Sequence, residues 1–296
     1  MASSVTELSD RFRIAGLRFE QGRGGLTKAV VQTPTASGEL YLHGAHVTSW
    51  QPEGQQPVLW MSRSSNFEAR KPIRGGVPIC FPWFGPHPTD SSAPAHGYAR
   101  ITEWELVDAK TTDDDAVGLK LQTVLGPFSL MFSVSFGGDL RMTLQTELAA
   151  SATAAQSFEV ALHTYFSVGD VQLISISGLE NVPYIDKVNG PIEKAASGEM
   201  IRFLGETDRV YSGTDGECLL ADAVRKRLIR VRKSGSRSTV VWNPWINKSA
   251  RMPDFGDHEW PEMVCIETAN VGSDAIQLAP GALHSTAVVV EVEALA

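Results

Sequence analysis

An all-β fold, most simply one domain of two extended antiparallel sheets packed as a sandwich, is what this chain predicts. Three observations carry that expectation. Apolar residues recur with a period of two over long stretches. The 26 glycines and 16 prolines are scattered as turn punctuation and are not gathered into a linker. Helical signals are poor throughout.

The strands follow in order. Leu119 and Leu121 alternate with Lys120 and Gln122. Phe128, Leu130, Phe132, Val134 and Phe136 then alternate with Ser129, Met131, Ser133 and Ser135. Gly137-Gly138-Asp139 makes a turn, and Leu140, Met142, Leu144 and Leu148 alternate with Arg141, Thr143, Gln145 and Glu147. Together these predict a hairpin with one buried and one solvated face. A second apolar run follows at Val160-Ala161-Leu162-His163-Thr164-Tyr165-Phe166. Leu228, Ile229 and Val231 are interleaved with Arg227, Arg230 and Arg232, and Val288 to Val292 reads as a closing strand. Thr111 to Asp115 reads as a polar turn. With no break in composition, residues 1–296 are expected to form one domain, with residues 1–12 as a flexible N-terminus.

Of the 296 residues 43% are apolar, enough for a sizeable core. The net charge of −8 argues against nucleic acid as a partner, which needs a basic face. It also means that an anionic ligand must be held by locally placed cations. Cys80, Cys218 and Cys265 are sparse and odd in number, which reads as free thiols in a reducing compartment. No signal-peptide pattern and no apolar run of membrane-spanning length is present, so a soluble, cytoplasmic protein, not bound to a membrane and monomeric, is expected.

Three segments interrupt the alternation. In Lys71-Pro72-Ile73-Arg74-Gly75-Gly76-Val77-Pro78-Ile79-Cys80-Phe81-Pro82-Trp83-Phe84-Gly85-Pro86, prolines and glycines forbid regular pairing, which leaves a shaped loop whose aromatic residues could wall a pocket. Ala95-His96-Gly97-Tyr98-Ala99-Arg100 sets a histidine and an arginine beside a glycine, a set suited to an anionic or hydroxylated ligand. The third segment runs from Val241-Trp242-Asn243-Pro244-Trp245 through Asp254 to Met263-Val264-Cys265-Ile266-Glu267. Alternation puts Glu267 on the face of Cys265, either as an inward carboxylate or as an edge glutamate facing water. Read by itself, His163 fits a core histidine. His43 and His46 have the spacing of a metal pair but no third ligand nearby, so no metal is expected. No nucleotide-binding glycine motif fits either. The residue types leave a sugar-active enzyme using His and Glu, or a non-catalytic carbohydrate-binding sandwich.

Taken in order, RGGVPICFPWFGP, HGYAR before Trp104, ALHTYF, ETDRVY, VWNPW and DFGDHEWPEMVCIETAN resemble the hexose-6-phosphate branch of the aldose 1-epimerases, and the resemblance runs from about residue 25 to the C-terminus. It implies a galactose mutarotase-like β-supersandwich with the sugar in a groove on one sheet, and no cofactor. It gives His163 the role of general acid and Glu267 that of general base. Asp208 would hydrogen-bond sugar hydroxyls or orient the acid, and His96 matches a second histidine at the site. Arg74 and Arg100 match arginines associated with substrate and phosphate. Ala95 departs from the family, where some relatives carry Gln before the His-Gly pair. The implied reaction interconverts the anomers of a hexose 6-phosphate. Ordinary pKa values of roughly 4.3 for Glu and 6.5 for His, modestly tuned by burial, suit a base and an acid near neutrality. A two-carboxylate glycoside hydrolase using Asp208 and Glu267 is a further alternative, which the accompanying histidine disfavours.

Overall fold

The structure, a computed structural model, describes residues 4–112 and 114–295. Met1 to Ser3 of the expected flexible N-terminus and Asp113 of the polar turn lie outside the described residues. The alternation read from the sequence becomes strands Phe128–Phe136 and Leu140–Leu148, paired from Phe128↔Leu148 to Phe136↔Leu140 around Gly137-Gly138-Asp139. Even-numbered positions such as Phe132 and Leu144 are buried, and their neighbours face outward. Burying large apolar side chains of this kind stabilises the fold by roughly 1.5–3 kcal/mol each.

Two eight-stranded antiparallel sheets dominate. The outer sheet runs, in spatial order, Ile174–Ser177, Cys218–Asp222, Arg227–Ser234, Leu283–Ala294, Leu140–Leu148, Phe128–Phe136, Val117–Leu125 and Glu105–Thr111. The other, which carries the site, runs Ile192–Lys194, Tyr184–Asp186, Thr207–Ser212, Ser238–Asn243, Met263–Asn270, Val160–Leu162 and Ile79–Cys80, with Tyr165–Ser167 also paired to Met263–Asn270. A four-stranded N-terminal sheet, Leu17–Gln21 to His46–Pro52, and a two-stranded ribbon complete the strands. One apolar core draws on Phe132, Leu144, Ile229 and Val290 of the outer sheet, Phe166, Val241 and Ile266 of the site sheet, and Leu40 and Val47 of the N-terminal sheet.

Two expectations are corrected. Within residues 1–12, Val5–Arg11 is a helix. Ser4 and Glu7 close a capping box, with the Glu7 N–H donating to Ser4 Oγ at 3.2 Å and the Ser4 N–H to Glu7 Oε2 at 2.8 Å. Leu8, 1% exposed, pins the helix to the core. On Arg227–Ser234 the inward face is Arg227, Ile229 and Val231, so the buried arginine replaces Leu228 in the stripe. Its guanidinium donates to the carbonyls of Gln56 and Pro57 in a loop and of Ser167 at the end of a strand.

Candidate active site

Register explains why an apolar strand carries a glutamate. Met263–Asn270 is buried along its whole length, because one face meets the core and the other is roofed by loops. It is an interior strand, so the reading of Glu267 as an edge residue does not hold. Pairing runs from Leu162↔Thr268 to Tyr165↔Cys265 without a shift, which sets His163 opposite Glu267. On the other side Glu267 pairs with Val240, which pairs with Val210, and Val210 with Ile185. The neighbouring row reads Tyr165, Cys265, Trp242 and Asp208. Side chains in both rows share one face of the sheet, opposite the core face of Val241 and Ile266.

A cavity of about 280 Å³ lies over this face. Its walls include Arg74, Phe84, His96, Arg100, His163, Tyr165, Lys187, Asp208, Trp242, Lys248 and Glu267. All six residues singled out from the sequence therefore meet at one place. Tyr165, Trp242, Lys187 and Lys248 were not singled out. The first two follow from alternation once His163 and Glu267 are known to face the cavity. The two lysines left no signal, because nothing in the chain's order brings them there.

At the floor, His163 Nε2 lies 3.3 Å from Glu267 Oε1. Both residues are buried, and neither His163 Nδ1 nor Glu267 Oε2 has a partner among the described residues. His163 lines the cavity and does not point into the apolar core, contrary to the core reading of its sequence. Stacking on Tyr165, with ring centroids 4.7 Å apart and 11° between planes, fixes the imidazole. Burial pushes the Glu267 carboxyl well above its ordinary range, helped by Asp208 and opposed by Lys187 and Arg100. Burial also holds His163 well below its ordinary value, helped by Arg74 and Arg100. Desolvation thus favours the neutral form of each group, a carboxylic acid beside an imidazole. The sequence expectation of only modest tuning by burial is corrected: removing water penalises each charged form, and the shifts are large.

His96 enters through backbone that few side chains adopt, φ 63°, followed by Gly97 at φ 71°. A Cβ at Gly97 would approach Phe81 O to 2.0 Å, so only glycine fits. The turn is held by His96 N–H donating to Gly85 O at 2.7 Å and Gly85 N–H to His96 Nδ1 at 3.3 Å. The ring then stands 5.7 Å from that of His163.

Both arginines reach the cavity already engaged. Arg74 forms a forked ion pair with Asp254, with contacts of 3.1–3.3 Å, and donates to Tyr165 Oη at 2.9 Å. Arg100 is buried and donates to Ala95 O at 2.7 Å. That carbonyl is its one partner among the described residues, and its Nε is buried without one, so Arg100 keeps donors for a ligand. Lys248 lies 3.0 Å from Glu206 and 3.5 Å from Asp208. His43 and His46 are spent on the carbonyls of Lys71 and Gly75, fastening the loop that carries Arg74. Among the described residues, His163, Cys265 and Glu267 lie within 4.8 Å of one another and could approach a metal. Burial, with Glu267 beside it, drives the Cys265 thiol well above its ordinary value.

A family described as aldose 1-epimerase matches residues 29–291. A protein of Escherichia coli K12 named "Putative glucose-6-phosphate 1-epimerase" is 36% identical over 251 residues, 81% of this chain and 82% of that one. One of the same name from Cenchrus ciliaris is 32% identical over 273 residues, 87% of this chain and 82% of its own. A crystal structure of a "putative mutarotase (YeaD)" from Salmonella typhimurium superposes with a TM-score of 0.86 at 31% identity and covers 94% of both chains.

Proposed function

The chain belongs to the aldose 1-epimerase family, an enzyme family that interconverts the anomers of sugars, and from that premise we propose that its substrate is a hexose 6-phosphate, glucose 6-phosphate first. The observation that carries the catalytic part is the His163–Glu267 contact of 3.3 Å at the floor of the cavity. Anomer exchange moves one proton from the anomeric hydroxyl to the ring oxygen, and a pair that holds one proton supplies both ends of that transfer. Passing the carboxyl proton across the contact gives the carboxylate and the imidazolium. Glu267 then takes the proton of the anomeric hydroxyl while His163 gives one to the ring oxygen. The bond between C1 and the ring oxygen breaks, the C1–C2 bond turns, and closure on the other face returns both protons. General acid–base work of this kind contributes about 10²–10⁴ in rate per group.

A phosphorylated substrate suits the cavity's charge. Arg74, Arg100, Lys187 and Lys248 all line it in a chain whose net charge is −8. An anionic ligand also compensates Arg74 and Arg100, the cations that reinforce burial in depressing His163, and so makes the imidazolium easier to form. Asp208 and His96 are left to bind sugar hydroxyls. Two-dimensional exchange NMR between the α and β anomers of glucose 6-phosphate, with and without protein, tests the reading. Accelerated exchange is expected; no acceleration for any aldose or aldose phosphate leaves a sugar-binding sandwich in its place.

A further inference from the structure

Four cations line the cavity, and two of them, Arg74 and Lys248, are paired with carboxylates. Arg74 is held by Asp254 and Tyr165, and Lys248 by Glu206 and Asp208; Arg100 has no carboxylate within 4.0 Å among the described residues, but it is buried with one donor on Ala95 O. Lys187 has no carboxylate within 4.0 Å among the described residues. Its Nζ lies 5.3 Å from the centroid of the Phe84 ring, which steadies a cation without neutralising it.

Register fixes where this lysine points. Tyr184–Asp186 pairs with Thr207–Ser212 at Ile185↔Val210, and the Lys187 N–H donates to Asp208 O at 2.8 Å. Lys187 therefore extends the row of Asp208, Trp242, Cys265 and Tyr165, on the same face as Glu267 and His163. Three inter-strand steps separate its strand from that of Glu267, about 14 Å of sheet at ~4.8 Å per step. The charge of Lys187 is felt at both Glu267 and His96, as expected of an ammonium facing into the cavity.

We propose that Lys187 is the specificity-determining cation of this enzyme: it meets the anionic group at the far end of the substrate from the anomeric carbon and selects phosphorylated over neutral sugars. This rests on the sugar-phosphate reading above. Lysine suits the task, because a point charge on a flexible stem follows a phosphate through ring opening without demanding a fixed fork geometry.

The test compares kcat/KM for glucose 6-phosphate with that for free glucose, by exchange NMR, in the wild type, Lys187→Gln and Lys187→Arg. Loss of one charge-assisted hydrogen bond corresponds to about 10–100-fold. The preference ratio is expected to fall by that amount in Lys187→Gln, through KM and with little change in kcat, and to be largely kept in Lys187→Arg. Inorganic phosphate, a competitive inhibitor of the wild type on this view, should inhibit Lys187→Gln correspondingly less. A ratio within about threefold of wild type in a folded Lys187→Gln protein overturns the assignment while leaving the sugar-phosphate reading intact. A wild type that accelerates free glucose but shows no preference for the phosphate ester overturns both.

Discussion

Glu267→Gln is the sharpest perturbation the structure offers. The side chain is 1% exposed, and burial favours its neutral, protonated form. An amide copies that form in shape and charge but cannot give up a proton. The fold should therefore survive while exchange falls by about 10²–10⁴, or roughly 2.7–5.4 kcal/mol at about 1.36 kcal/mol per decade. Stability supplies a second readout. In the folded wild type Glu267 keeps its proton above pH 4.5, the value at which an unfolded glutamate releases it. Across the window from 4.5 up to the raised folded value, the folded state binds more protons than the unfolded one, so stability falls as pH rises. The variant lacks this linkage. Melting temperatures recorded from pH 4.5 to neutrality should thus move in favour of Glu267→Gln, while exchange NMR reports the lost turnover. A variant that turns over glucose 6-phosphate within about threefold of wild type removes Glu267 from the mechanism. A wild type that gains stability over the variant as pH rises refutes the protonated resting state.

His163→Asn should lose exchange by a similar factor, and the double variant should be scarcely worse than the worse single one, since the two groups act as a unit; additive losses measured by exchange NMR would separate them. Arg74→Ala should lower the melting temperature as well as turnover, because it strands Asp254, and breaking a buried pair costs about 3–5 kcal/mol; an unchanged melt would show that Asp254 is satisfied elsewhere. Cys265 is fully buried with its thiol pKa raised, so a maleimide should modify it only on unfolding and Cys265→Ala should remain active. Rapid stoichiometric inactivation, or an inactive but folded Cys265→Ala, would point to a thiol role instead. Arg227→Ala should destabilise by at least ~3 kcal/mol, read by thermal melt, since it removes the donor to the carbonyls of Gln56, Pro57 and Ser167 and leaves the buried Asp222 with the Arg225 guanidinium alone.

The outer sheet was legible from order alone, because a strand solvated on one face must alternate, and Phe128 to Leu148 does so around a glycine turn. Registers in the site sheet were not legible, because Met263–Asn270 is covered on both faces and presents a nearly continuous apolar run. The helix at Val5–Arg11 was missed although Ser4 and Glu7 carry a capping signature; seven residues are too few to sustain a helical period, and Leu8 holds it by tertiary burial. Among the site residues, His163, Glu267, Arg74, His96, Arg100 and Asp208 could be named because each lies in a segment whose composition breaks the strand pattern or matches the family. Their protonation and availability could not be named. Whether Glu267 keeps a proton depends on how much water the loops exclude, and whether Arg74 is free depends on Asp254, 180 residues further along the chain. Lys187 shows the limit most clearly. The sequence by itself determined which strands alternate and which residue types can move protons, since these are properties of neighbours along the chain. Only the tertiary structure decided which charges face one another across the cavity, because that depends on strand register and desolvation, which arise when distant segments pack.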